Sequence, residues 1–253
     1  MPVLSDPLFL VICVTAVIIL GLAKGGFAGI GMLATPMMAL VIPPLQAAAI
    51  LLPILIVQDV ISVWNYRRDW DRWNVKVMLP GAVIGIGVAW LLAAYLSDSV
   101  VRLIVGLIGM VFVLNAWFGR EPAEDHQPKV SHGVFWGGVS GFTSTMVQAG
   151  SPPFQFFTLP QRMPKLTFVG TNAIFFAAIN LLKVIPYFSL GQFSPSSLTI
   201  SAWMLPLAIA TNYFGIWLVR ITPVATFYRI AYIMVFFISL GLTYQALRAM
   251  FFV

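Results

Sequence analysis

The chain is 253 residues long, 60% hydrophobic and only 9% charged, with a mean hydropathy of +0.95. That is more apolar surface than a water-soluble core of this size can hide, and it points to an all-α polytopic membrane protein. The net charge of +6, from 14 Lys+Arg against 8 Asp+Glu, falls in a few short stretches between apolar runs. Such clustering is the pattern of cytoplasmic loops and gives no reason to expect a nucleic-acid partner.

The first apolar run ends in "GLAKGGFAGIGMLATPMMAL" (residues 21–40), which puts Lys24 and five glycines inside membrane-compatible sequence. Asp6 stands where a signal peptide carries positive charge and no small-x-small cleavage site follows, so this segment is expected in the mature protein. It contains the single cysteine, Cys13, which excludes an intramolecular disulfide framework. A spanning helix needs about 20 predominantly apolar residues. Residues 45–65, 75–96, 99–118, 166–190, 197–219 and 223–247 supply such runs. Residues 7–41 are interrupted at "KGGFAGIG" and residues 132–162 at "TSTMVQAGSPPFQ", so these two regions are expected to form broken or re-entrant helix pairs. About eight transmembrane segments are expected in all.

The order of features repeats: a broken glycine-rich segment, a proline-marked turn, then three long helices. At an offset of 121, Leu45 aligns with Leu166, Pro43 with Pro164, Val63 with Val184, Tyr66 with Tyr187, Ala28 with Ala149 and Gly29 with Gly150. The expected organisation is an N-terminal repeat (1–120), a polar connector (121–131) and a C-terminal repeat (132–253). The loop at 66–76 carries Arg67, Arg68, Arg72 and Lys76, whereas its counterpart at 189–197 is uncharged; the loop at 41–46 is uncharged, whereas its counterpart at 161–166 carries Arg162 and Lys165. Equivalent loops on opposite sides make an inverted repeat, an architecture of secondary transporters. Parallel repeats of four crossings each are the alternative.

In hydrocarbon a helix cannot stop without protein or a watery cavity to receive its unpaired backbone groups. The two breaks therefore imply an internal polar site. Gly25, Gly26, Gly29 and Gly31 permit close backbone approach at the first; Gly150, an N-cap at Ser151 and two prolines shape the second. Helix N-termini there would offer N–H donors and partial positive charge to an anion, with Lys24 supplying a full charge. Lys24 snorkelling to phosphate headgroups is the competing reading. Thr143, Ser144, Thr145 and Gln148 are neutral groups suited to an oxyanion or to interhelical contacts. Within long spans lie Gln58, Asp59, Asn172, Asn180 and Lys183; Asp59 and Asn180 are equivalent at the offset of 121. Asp59 is a candidate for a coupling proton, for a partner of Lys24 or Lys183, or for helix packing. Lys183, near a helix end, is a candidate for function or an interfacial anchor. Trp64, Tyr66, Trp70 and Trp73 read as an aromatic belt around the basic loop. No Walker loop, H-E-x-x-H or G-x-S-x-G occurs, His126 and His132 do not form a metal set with one distant cysteine, and neither an enzyme nor a cofactor is expected.

At the two stretches "GLAKGGFAGIGMLATPMMAL" and "GFTSTMVQAGSPPFQFFTLPQRMPKLTFVGTNAIFFAAINLLKVIPYF" the sequence resembles the sulfite exporter TauE/SafE family of membrane permeases. The resemblance implies a duplicated helical bundle in the bacterial inner membrane, moving sulfite, a sulfonate or another small sulfur-containing anion without ATP. It also implies a binding site at the two central hairpins, Lys24 to Gly31 and Gln148 to Pro153, with Thr171 and Asn172 on the next helix. "STMVQAGSPP" stands where other members often carry a more glycine-rich stretch. A passive anion channel and an assembly factor for a partner complex are the competing functions. Cargo, direction, coupling ion and oligomeric state are not legible in these residues.

Overall fold

The computed structural model describes residues 6–27, 30–38, 41–42, 44–92, 95, 97–118 and 128–251. Among these residues there is no strand. Eight long helices account for most of the described residues: α1 (Pro7–Gly25), α3 (Pro44–Tyr66), α4 (Arg72–Leu92), α5 (Asp98–Phe118), α6 (Val130–Val147), α8 (Lys165–Ser189), α9 (Pro195–Ile221) and α10 (Val224–Phe251). Two short helices, α2 (Ala34–Met38) and α7 (Ser151–Thr158), follow α1 and α6. Among the described residues five helices, α1, α3, α4, α8 and α9, are long and apolar enough to cross a membrane. The connector at 121–127, Ala28, Gly29 and Pro43 lie outside the described residues.

Local signals set the helix ends. Asp6 caps α1 by accepting the Leu8 N–H at 2.9 Å, with Pro7 in the first turn. Ser194 caps α9 by accepting the Ser197 N–H at 3.1 Å, again with proline beside it. α1 stops at Gly26, whose φ of 144° few side chains can adopt.

Polarity is arranged as lipid demands. The buried set includes Gln58, Asp59, Ser62, Ser144, Thr171, Asn180, Lys183 and Asn212, while Val60, Trp64, Leu181, Phe188, Trp203 and Trp217 face outward. Without a hydrophobic drive between helices in lipid, close backbone packing holds the bundle, and glycines mark it. α4 runs alongside α6 through Gly81, Gly85, Gly137 and Gly141. α1 runs alongside α9, where a Cβ on Gly25 would come within 2.4 Å of the Gly215 backbone.

The packing partners interchange between the two parts of the chain. At the offset of 121, α1 corresponds to α6, α3 to α8, α4 to α9 and α5 to α10. α1 packs on α9 and α6 packs on α4; α3 packs on α8, and α5 on α10. α2 doubles back along α1, since Ala34, Met38 and Ile42 share a cluster with Leu20, Val17, Cys13 and Phe9. α7 doubles back along α6, with Phe156 against Trp136 at 4.2 Å between ring centroids.

The loops sort into two groups. Asn74 and Gln161 exchange two amide hydrogen bonds of 2.9 Å, and Lys165 Nζ donates to the carbonyls of Val219 and Thr222 at 2.6 Å each, so the basic segments 66–76, 161–166 and 219–222 gather at one face. At the other end Phe193 packs with Ala48, Ala49 and Leu52 at the start of α3, bringing the uncharged loop after α8 to the uncharged entry of α3.

The glycine contacts give a paired stability prediction. A Cβ at Gly85 would lie 2.0 Å from the Gly138 carbonyl oxygen, whereas one at Gly87 meets nothing within 4 Å. Gly85→Val is expected to lower stability in detergent by about 2 kcal/mol or more through overpacking. Gly87→Ala is expected to change it by less than about 0.5 kcal/mol. Thermal unfolding of the two purified variants checks the contrast.

Candidate functional site

A lysine inside a bundle must find acceptors, because leaving an ammonium unpaired in a low-dielectric interior costs several kcal/mol. Lys24, in the last turn of α1, finds Asp59 of α3: Nζ lies 2.5 Å from Oδ1, with side-chain exposures of 10% and 3%. The other carboxylate oxygen accepts the Nδ2–H of Asn180 on α8 at 2.6 Å. Asp59 thus joins α1, α3 and α8, and its amide partner is the residue aligned with it at the offset of 121. Pairing with Lys24 is one of the sequence alternatives for Asp59. Lys24 Nζ also sits over the Phe176 ring, 5.6 Å from its centroid, so Lys24 is held inside the bundle instead of extending to headgroups.

Lys183 is fully buried, not an interfacial anchor. Its position near the end of α8 in sequence is misleading because its acceptors come from the end of α6, packed inside the bundle. Nζ donates to Gln148 Oε1 at 2.5 Å, Ser144 Oγ at 3.0 Å and the Ser144 carbonyl at 3.3 Å. It thereby ties α8 to the end of α6. Two tyrosines tie the helix ends in the same manner. Tyr66 OH donates to the Gly25 carbonyl at 2.6 Å, and Tyr187 OH donates to the Thr145 carbonyl at 3.0 Å. Both carbonyls belong to last turns, where no intrahelical partner is available. Tyr66 is 1% exposed and so is not part of an aromatic belt, whereas Trp64 and Trp73 remain exposed.

Between these ties lies a cavity of about 50 Å³, lined by Leu20, Ala23, Lys24 and Gly31 from the first helix end, Leu55 from α3, Ser144, Gln148 and Ser151 from the second helix end, and Asn172, Phe176 and Asn180 from α8. That is well below the ~300–1,000 Å³ of a drug-sized pocket and limits the cavity to a small ligand. Its polar lining carries one cation and several amide and hydroxyl groups. Two buried polar atoms there, Gln148 Nε2 and Asn172 Oδ1, have no partner. Such a lining suits a small anion bearing several oxygens.

The candidate residues divide. Lys24, Gln148, Ser151, Asn172 and Asn180 meet at the cavity. Asp59 and Lys183 stand behind it and hold lining residues. Gly25 and Gly26 pack against α9 and Val169, not on the cavity. Gly29 lies outside the described residues. Gly150 is enclosed by Phe176, Ser140 and Ser144 and takes the N-cap position of α7, leaving Ser151 as its first residue. Because Pro152 and Pro153 follow, that first turn has few free N–H donors. Thr145 spends its hydroxyl on the Gly141 carbonyl at 2.8 Å. Thr171 bonds the Asp71 N–H and the Thr167 carbonyl, facing the basic loop. Gln58 reaches α9 through the Ala208 carbonyl at 3.2 Å. Phe176, Leu55 and Leu20 escaped sequence reading because an apolar residue facing a cavity looks like one facing lipid. Among the described residues no three of His, Cys, Asp and Glu come together as a metal set.

Removing one member of a buried ion pair is far worse than replacing both. Asp59→Leu is expected to cost about 3 kcal/mol or more of stability, and adding Lys24→Met to it is expected to recover most of the loss. Denaturation midpoints of the two variants against the wild type check this.

Two comparisons, with curated proteins and with solved structures, give no match. A family model described as Sulfite exporter TauE/SafE matches residues 13–242, a stretch that includes every residue of the cavity. The chain is a multi-pass membrane protein and belongs to the sulfite exporter TauE/SafE family.

Proposed function

We propose that the protein is a secondary transporter, not an enzyme, that carries a small sulfur-containing anion such as sulfite or an organosulfonate across the bacterial inner membrane, binding it in the cavity between the ends of α1 and α6. The observation that carries this reading is the lining itself: a lysine, two hydroxyls and three side-chain amides contributed by both parts of the chain, around a volume fit for a small ion. The family match supports the substrate class. The two doubled-back segments, α1–α2 and α6–α7, are read as re-entrant pairs entering from opposite faces, and the two parts of the chain as inverted repeats. The interchange of packing partners and the sorting of basic and uncharged loops to opposite ends support that reading.

An inverted repeat supplies two pseudo-equivalent conformations, one open to each side, and alternating access follows from rocking one repeat against the other. The Tyr66 and Tyr187 bonds at the two helix ends are the contacts such motion would exchange. Each is a single neutral hydrogen bond, worth about 0.5–1.5 kcal/mol, weak enough to be broken reversibly. Asp59 is the group in this cluster suited to carry a coupling proton; Lys24 from α1 and Lys183 and Asn180 from α8 face it, and Ser62 and Asn212 join α3 to α9 nearby.

Uptake of radiolabelled sulfite into proteoliposomes tests the proposal. Wild-type protein is expected to give saturable uptake and trans-stimulated exchange, which a channel does not give. The Lys24→Met/Asp59→Leu double variant is expected to stay folded and lose at least about 90% of uptake, since it removes the lining's cation together with its carboxylate partner and leaves Lys183 its Gln148 and Ser144 acceptors. Full uptake by that folded variant would refute the cavity as the binding site.

A further inference from the structure

We propose that Lys183 is a positioning residue for anion binding: its ammonium fixes the side-chain amide of Gln148 so that the amide's N–H donors serve the cavity and meet an oxygen of the bound anion. This rests on the reading that the cavity takes a small anion. Three observations carry it.

An ammonium only donates hydrogen bonds, so the Gln148 atom 2.5 Å from Lys183 Nζ is the carbonyl oxygen, Oε1. The orientation of a glutamine amide is usually ambiguous, but a donor-only neighbour resolves it. The opposite end of the same amide is then NH2. That group is buried and has no partner, although the Gln148 side chain lines the cavity. Buried donors are seldom left unmade, and an unmade pair of donors beside a cavity is a place prepared for an acceptor.

The backbone gives the second observation. Gln148 closes α6 with φ 55° and ψ 26°, in the left-handed region where glycine is the usual residue. A long amide side chain stands where the backbone favours none. The third concerns the alternatives. Lys183 also donates to Ser144, whose carbonyl lies in the last turn of α6. A purely structural helix-capping role accounts for those two bonds. It does not account for the third bond, to an amide whose other end is left open.

The arrangement is asymmetric between the two helix ends. The position aligned with Lys183 is Ser62, whose hydroxyl donates to the Lys24 carbonyl at 2.8 Å and reaches no amide at the cavity. The cation at the first end, Lys24, lines the cavity directly; the cation at the second end acts through Gln148.

Calorimetric titration of the full-length detergent-purified protein with methanesulfonate tests the role. Gln148→Glu keeps an oxygen for Lys183 but deletes both donors and adds negative charge, and it is expected to bind at least about 30-fold more weakly with no loss of thermal stability. Lys183→Met is expected to weaken binding about 10-fold in the wild-type background and less than about twofold in a Gln148→Ala background, because its effect travels through the amide. Equal weakening in both backgrounds, or binding by Gln148→Glu within about threefold of wild type, overturns the proposal. Should Lys183→Met fail to fold, Lys183→Gln in the same two backgrounds takes its place, with the same coupling expected. Wild type that binds nitrate or formate with the same dependence on Gln148, but not methanesulfonate, upholds the positioning role and overturns the sulfur-anion reading. Wild type that binds none of the three overturns both.

Discussion

Three charged groups in a bundle that faces lipid must be accounted for by one another and by neutral dipoles, and the contacts of Asp59 do most of that accounting. In hydrocarbon neither Lys24 nor Asp59 is tolerable alone. Joined at 2.5 Å, and with the second carboxylate oxygen taken by Asn180 at 2.6 Å, they draw α1, α3 and α8 to a single point. The close glycine packing of α1 on α9 and the ties from Ser62 and Tyr66 to the last turn of α1 then fix where that helix ends. The cavity is the space left where α1 and α6 both stop short of one another. It is polar because the groups that satisfy the ion pair and the helix ends are the same groups that line it.

This dual use explains why the site is small. Hydroxyls such as Thr143, Thr145 and Thr171 are consumed by backbone carbonyls or by loop N–H groups. What is left for a ligand is the set with spare capacity: the Lys24 ammonium, the open Nε2 donor of Gln148, and the Ser144 and Ser151 hydroxyls, while the open atom of Asn172 is an acceptor, Oδ1. The helix N-terminus at Ser151 adds less than its position suggests, since two successive prolines carry no N–H. Side chains, more than helix dipoles, supply the donors that line this cavity.

The helices were readable in the sequence because apolar runs and their interruptions are one-dimensional signals. The expected spans 45–65, 99–118 and 166–190 correspond to Pro44–Tyr66, Asp98–Phe118 and Lys165–Ser189. That Asp59 and Asn180 touch each other was not readable: it is a statement about the packing of α3 on α8, which no local pattern encodes. Partner choice was likewise hidden. Lys183 looked interfacial because hydropathy measures neighbours along the chain, while its acceptors come from α6, 35 and 39 residues away. Glycines at 25 and 26 looked like ligand cradles because both ligands and neighbouring helices demand close backbone approach, and only the fold shows that α9 occupies that space.

A small sulfur oxyanion bound between the two helix ends, as proposed, can be located directly. Selenite, a heavier congener of sulfite, can be soaked into crystals of the protein and found by anomalous scattering. A selenium peak is expected in the cavity, within hydrogen-bonding reach of Lys24 and Gln148 through the oxygens of the bound ion. A peak at the lipid-facing surface or in the basic loops, with the cavity occupied only by water at saturating selenite, would contradict it.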